Sequence, residues 1–253
     1  MAILQESPSR TNVPIYKSRA IVIRRRNQGE SDRVLTLFSN EKGRFSAIAK
    51  GGRKPKSKLA GGIELFTEND FILSDGKAFE IVSETQLLHN YLDGKPIHEI
   101  KLAHLFAELV CKLIPENLPV PELFSDFELV LSRMGQDDSD LLELFFCSRL
   151  LKYLGIYPEL AVCLDCKQKP EQQVYFSASS GGIVCESCYD HTHQGSLISK
   201  DVIKLWRFLM ECNPDVLDRL NIEDSVSHEA TSLMRSYLTK ATGVNFNSLE
   251  IAD

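Results

Sequence analysis

From residue 19 to residue 88 the chain alternates apolar and polar positions with the period of two expected of half-buried strands. "RAIVIRR" has a branched aliphatic centre. "RVLTLFS" sets Val34, Thr36 and Phe38 on one face and Leu35 and Leu37 on the other, and "GRFSAIAKG" alternates Phe45, Ala47 and Ala49. "LFTENDFILS" and "FEIVSETQLL" follow, joined by "DGK" at 75–77, where Asp75-Gly76 predicts a tight hairpin with glycine at positive φ. Five strands with no helix-length segment among them fit a small barrel, whose closure removes exposed edges. An open sheet resting on a helical body is the alternative.

From Pro96 the apolar spacing becomes helical. Ile97, Ile100, Leu102, Leu105, Phe106, Leu109, Val110 and Leu113 predict one broad apolar face, and prolines 115, 119 and 121 punctuate the approach to a second helix over 121–134. "DDSDLLELFFCSRLLKYLG" carries Asp/Ser caps at its start and Gly155 at its end. After a cysteine-bearing segment, "SKDVIKLWRFLME" opens on a Ser199 cap and stops before Pro214, and "SVSHEATSLMRSYLTKATG" runs helically to Gly243. The expected class is α+β. The expected organisation is an N-terminal tail (1–16), a basic five-stranded module (17–90), a helical domain (91–158), a cysteine insert (159–196) and the resumed helical domain (197–253).

Charge sharpens this division. Residues 1–60 hold 14 lysines and arginines against four acidic residues, a balance of +10, which leaves −16 on the remainder of a chain whose net charge is −6. A basic module on an acidic body points to polyanion binding at one end. No apolar run approaches the length of a membrane span, and the first residues lack the apolar core of a signal peptide, so a cytoplasmic protein with no membrane partner is expected.

Of seven cysteines, four form Cys163-x2-Cys166 and Cys185-x2-Cys188, with 18 residues between the pairs. Two such knuckles can complete a tetrahedral thiolate cage for one Zn²⁺, and "QVYFSASSGGIVC" reads as the hairpin that brings them together. Four thiolates leave no open position for a reacting water, so the expected zinc is structural. A redox dithiol lacks its βαβ context, an iron–sulfur site lacks the cysteine-dense spacing, and a deaminase lacks its His-x-Glu. His191 and His193 in "YDHTHQG" stand as alternative ligands, with solvated loop histidines the default. Cys111, Cys147 and Cys212 sit in apolar helical contexts and read as small core residues.

The basic module concentrates its cations in "RRR" at 24–26, at Arg33 and Arg44, and in "AKGGRKPKSKLAGG" at 49–62, which contributes Lys50, Arg53, Lys54, Lys56 and Lys58. Such residues neutralise phosphates and release counterions, giving sequence-independent affinity. The plain alternative for the loop is a solvated, mobile turn. Phe38, Phe45, Phe66, Phe71 and Phe79 could stack on bases, though filling a small barrel is their expected role. The loop lacks the Walker spacing and the helix that follows it, which excludes a P-loop ATPase, and no nucleophile–base set stands out.

"AIVIRRRNQGESDRVLTLFSNEKGRFSAIAKGGRKPKSKLAGGIELFT", with Gly29-Glu30-x-Asp32-Arg33 and Ala49-Lys50-Gly51-x-Arg53, resembles the N-terminal barrel of the RecO recombination-mediator family. "RLLKYLGIYPEL" leading into the Cys-x2-Cys…"FSASSGGIVC"-x2-Cys block resembles that family's helix and zinc finger. The likeness spans nearly residues 17–240 and departs in the N-terminal tail; some family members lack the cysteines. It implies an OB-fold barrel, a helical C-terminal domain with an inserted four-cysteine zinc finger, and a non-enzymatic, nucleoid-associated role. Such proteins bind single- and double-stranded DNA, anneal complementary strands, and with RecR help load RecA onto strands coated by single-stranded-DNA-binding protein (SSB). DNA contacts map onto Arg24, Arg25, Arg26, Arg33, Arg44, Lys50, Arg53, Lys54, Lys56 and Lys58. Lys112, Arg133, Arg149 and Lys152 are candidates for the acidic SSB C-terminal tail. An RNA-binding or translation-associated module is the alternative reading.

Overall fold

A computed structural model describes residues 14–190, 192 and 194–246. The expected tail thus falls mostly outside the described residues, and so do His191 and His193. The chain divides into two compact units, Met1–Asn90 and Tyr91–Asp253.

The first unit contains β1 (Ile15–Gln28), β2 (Asp32–Ser39), β3 (Gly43–Ala49), β4 (Thr67–Ser74) and β5 (Glu80–Asn90). They close into a barrel in the order β1-β2-β3-β5-β4, with every pairing antiparallel except a short parallel contact of β3 with β5 at Ala47↔Glu80 and Ile48↔Ile81. The period-two pattern determines the interior. Ala20, Val22, Leu35, Leu37, Phe45, Ala47, Ala49, Phe71, Leu73 and Val82 form one buried cluster with Leu59 and Ile63. Val34 and Phe38, on the opposite face of β2, are also buried, so this strand is apolar on both sides.

Two local expectations need correction. The strand expected from residue 19 begins at Ile15, because Ile15 to Ile21 all find partners on β4. Gly76 is not in a tight left-handed turn, since the connection runs from Asp75 to Phe79 and its φ is not positive. Glycine is required there by close approach: a Cβ would lie 2.1 Å from the Phe79 carbonyl oxygen.

The second unit comprises α1 (Ile97–Leu113), α2 (Pro121–Arg133), α3 (Ser139–Tyr153), β6 (Val174–Ser177), β7 (Gly182–Cys185), β8 (Ser196–Ile198), α4 (Lys200–Glu211) and α5 (Asp224–Thr242). Helix α3 is apolar on nearly every face and packs against α1, α2, α4 and α5, as a helix without a polar stripe must. Its Asp138 cap accepts from the Asp140 amide, and the Ser199 cap of α4 accepts from the Val202 amide at 3.2 Å. Gly243 ends α5 in the left-handed conformation. On α1, Leu102, Leu105, Phe106, Leu109 and Val110 are buried as expected. Ile97, the first residue of α1, is 69% exposed.

Strands β7-β6-β8 form a small sheet between α3 and α4 in the chain. It leans on the helices: the Phe176 ring of β6 lies 5.3 Å from Trp206 of α4 and 6.0 Å from Tyr237 of α5. Cys147 and Cys212 are buried and Cys111 is half-buried.

Candidate metal centre and cationic surface

The two knuckles meet where the β6–β7 hairpin folds back. Val174 pairs with Cys185, which carries the second knuckle, while the Leu164 amide donates to the Ile183 carbonyl at 2.8 Å and docks the first knuckle on β7. Lys167 adopts positive φ, turning the chain after Cys166, and the Cys188 and Tyr189 amides both donate to the Cys185 carbonyl. As a result the sulfurs of Cys163, Cys166, Cys185 and Cys188 all lie within 4.8 Å of one another.

The sulfurs fit a tetrahedral ion. Zinc–thiolate bonds of about 2.3 Å place sulfurs about 3.8 Å apart, and the Cys166 and Cys185 sulfurs are 3.8 Å apart. Burial pushes the Cys163 thiol up, but amide donors from Cys185, Cys166 and Asp165 outweigh it and bring it down to about 6. Cys188 is pushed up to about 12, first by its hydrogen bond to Cys185 and then by burial. Four sulfurs this close cannot all ionise against one another, so a full set of thiolates needs a cation among them. The cage can hold a metal ion, and with all four positions taken by sulfur it leaves that ion no place for a substrate.

The cationic loop of the barrel is built, not slack. The Gly51 amide donates to Asp32 Oδ1 at 2.8 Å, the Arg53 amide to the Ser31 carbonyl at 2.9 Å, and the Lys54 amide to the Gly51 carbonyl at 3.0 Å. Leu59 and Ile63, just beyond it, are anchored in the barrel interior. Lys50, Lys54, Lys56 and Lys58 are exposed, and none of them forms an ion pair among the described residues.

The remaining cations differ in their partners. Arg24 is exposed, and Arg26 is exposed with its guanidinium donating to Gln28 Oε1 at 2.9 Å and lying 5.8 Å from the Phe79 ring. Arg25 and Arg33 both pair with Glu64, which bridges them. The Arg53 guanidinium donates to the Gly29 and Glu30 carbonyls at 3.3 and 3.2 Å, and so braces the β1–β2 turn. Arg44 is half-buried on β3, facing Phe38 across the ladder. Glu64 had no signal in the charge pattern, since its role depends on a long-range approach. Of the five phenylalanines, Phe38, Phe45, Phe66 and Phe71 are buried and unable to stack on bases; only Phe79 is partly exposed.

In the second unit, the four candidate tail-binding cations all have internal partners. Lys112 pairs with Glu108 at 2.7 Å and Arg133 with Asp137 at 3.1 Å. Arg149 pairs with buried Asp126 at 3.0 Å and donates to the Met210 carbonyl, while Lys152 pairs with Glu211 at 2.6 Å. Arg149 and Lys152 flank a recess of about 190 Å³ whose wall includes Leu123 and Tyr153. No helix among the described residues is long and apolar enough to cross a membrane.

Family models cover almost the whole chain. Residues 13–91 match the recombination protein O N-terminal domain, and residues 96–250 match the recombination protein O C-terminal domain. The chain is 28% identical over 244 residues to the DNA repair protein RecO of Alkaliphilus metalliredigens, covering 94% of this chain and 98% of that one. It is 33% identical to the RecO of Dehalococcoides mccartyi, covering 87% and 88%, and 30% identical to that of Heliobacterium modesticaldum, covering 94% and 89%. With residues 13–91 and 96–250 matched in order by the N- and C-terminal models of that family, this chain belongs to the RecO family.

Proposed function

We propose that the protein binds DNA without altering it covalently, anneals complementary single strands and, with RecR, helps load RecA onto SSB-coated strands during repair and recombination. Its relatives carry the name DNA repair protein RecO. The observation that carries the reading is the exposed lysine set Lys50, Lys54, Lys56 and Lys58, which forms no ion pair among the described residues, on a hydrogen-bonded loop of the barrel. We read the barrel, with its strand order β1-β2-β3-β5-β4, as an OB fold. Residues 17–90 are then the DNA-binding domain and 159–196 the zinc finger. Arg24, Arg25, Arg26, Arg33, Arg44 and Arg53 extend the cationic surface.

Two phosphate chains repel each other, and a surface of lysines that holds both lowers that cost while leaving base edges free to pair. With four of the five barrel phenylalanines buried, phosphate contact outweighs stacking. Arg25 and Arg33 would join only by exchanging Glu64 for phosphate. An acidic SSB tail reaching Lys112, Arg133, Arg149 or Lys152 would likewise compete with the carboxylates already there. We read the ion of the four-cysteine cage as Zn²⁺. When bound, it ties the two knuckles together and adds its binding energy to folding.

The test is a strand-annealing assay with bare and SSB-coated complementary strands. Acceleration in both cases is expected, and loss of acceleration on bare strands overturns the reading. Matched DNA and RNA strands titrated with salt separate it from an RNA-binding role.

A further inference from the structure

The β1–β2 turn and the cationic loop are joined by hydrogen bonds that one carboxylate and three carbonyls of the turn accept. Asp32 Oδ1 accepts from the Gly51 amide at 2.8 Å and from the Ser31 hydroxyl at 3.1 Å. On either side of it, the Ser31 carbonyl accepts from the Arg53 amide, and the Arg53 guanidinium reaches back to the Gly29 and Glu30 carbonyls. Gly51 sits at φ +66, a conformation glycine adopts without strain, and that conformation aims its amide at Asp32. The Asp32 carboxyl is held below its usual value by the Gly51 amide above all; burial opposes this, and the Ser31 hydroxyl and the charges of Lys50 and Lys54 add to the lowering.

A carboxylate placed beside lysines that hold phosphates is, on charge alone, a handicap. It lowers the local potential that attracts a polyanion. Its presence inside this loop needs another reason, and the hydrogen bonds supply one. A loop of five cations repels itself and, unheld, would sample many conformations, each lysine losing that freedom on binding.

We propose that Asp32 is a positioning residue for DNA binding: by capping the Gly51 amide it holds the cationic loop in one conformation before the strand arrives, so that its lysines meet the phosphate chain pre-organised. This rests on the DNA-binding reading above, but its geometric half can be read without DNA.

Charge and positioning predict opposite signs. Asp32→Ala and Asp32→Asn both remove one negative charge. Only Asn keeps a side-chain oxygen able to accept from Gly51. If Asp32 acts merely through charge, both variants of the full-length protein bind an oligo(dT) strand more tightly and to the same degree. If it positions the loop, D32A binds about tenfold more weakly, the scale of losing one hydrogen bond to a charged group, while D32N binds at least as well as the parent. Amide hydrogen exchange on the DNA-free protein gives the second readout. Gly51 and Arg53 should be protected in the parent and in D32N, and should exchange faster in D32A. Equal tightening by both variants overturns the proposal. So does unprotected exchange at Gly51 in the parent, a result obtained even if D32A does not fold. A parent that ignores oligo(dT) yet protects Gly51 instead removes the DNA-binding reading while leaving the loop geometry standing.

Discussion

Arg235 on α5 grips Glu143 on α3 with two parallel hydrogen bonds, Nε to Oε1 at 2.6 Å and a terminal nitrogen to Oε2 at 2.8 Å. The Glu143 side chain is almost wholly buried, so the pair locks two helices of the second unit at one register. Removing the arginine strands a buried carboxylate, whereas replacing both with apolar groups does not. R235A should therefore lose about 3–5 kcal/mol in urea unfolding, and E143L/R235M should lose clearly less. A double variant as unstable as the single one contradicts this account.

The pair between Arg149 and Asp126 behaves differently. Burial raises the Asp126 carboxyl, and Arg149 only partly offsets it. A raised acid binds more protons folded than unfolded just above its unfolded value of 3.8, so this group's contribution to stability falls as pH rises through that window. D126N should remove that segment of the pH dependence and cost less at pH 7 than R149A, which leaves the carboxylate unpaired. Urea midpoints measured between pH 4 and pH 7 check both statements.

The exposed loop lysines lend themselves to reversal. Lys54, Lys56 and Lys58 carry no ion pair among the described residues, so exchanging them for glutamate breaks no intramolecular bridge there. Affinity for single-stranded DNA should fall at least about tenfold at ~0.1 M salt, and the log–log salt slope should flatten by about two. Melting should stay near that of the parent. Unchanged affinity would falsify the assignment of this loop.

Cysteine replacement tests the metal centre. Cys163→Ser removes a buried ligand of the cage, and metal release should lower the melting temperature by at least about 5 °C. About one zinc per chain is expected in the parent, and a chelator should reproduce the loss. A parent that melts normally with no bound metal rejects a stabilising ion.

Much of the fold was legible because it is local. The alternation in "GRFSAIA" sends Phe45, Ala47 and Ala49 inward wherever the strand ends up, and Ser199, Asp138 and Gly243 mark helix ends through contacts within a few residues. Cys-x2-Cys spacing constrains each knuckle in the same way. The glycine at 76 misled because Asp-Gly commonly marks a turn with positive φ, while here the constraint comes from the approach of the Phe79 carbonyl.

By itself, then, the sequence determined the five barrel strands and the five helices to within a few residues, though not β8, together with the two knuckles and the split between a basic N-terminal stretch and an acidic remainder. All of these follow from periodicity, spacing and charge counted along the chain. Tertiary structure alone decided which cations remain available. Glu64 occupies Arg25 and Arg33, the β1–β2 turn takes the Arg53 guanidinium, and Asp32 holds Gly51 from 19 positions away, turning an apparently mobile lysine run into an ordered one. Such partnerships depend on where the closed barrel brings distant residues together, and a one-dimensional pattern records which groups can pair but not which ones meet.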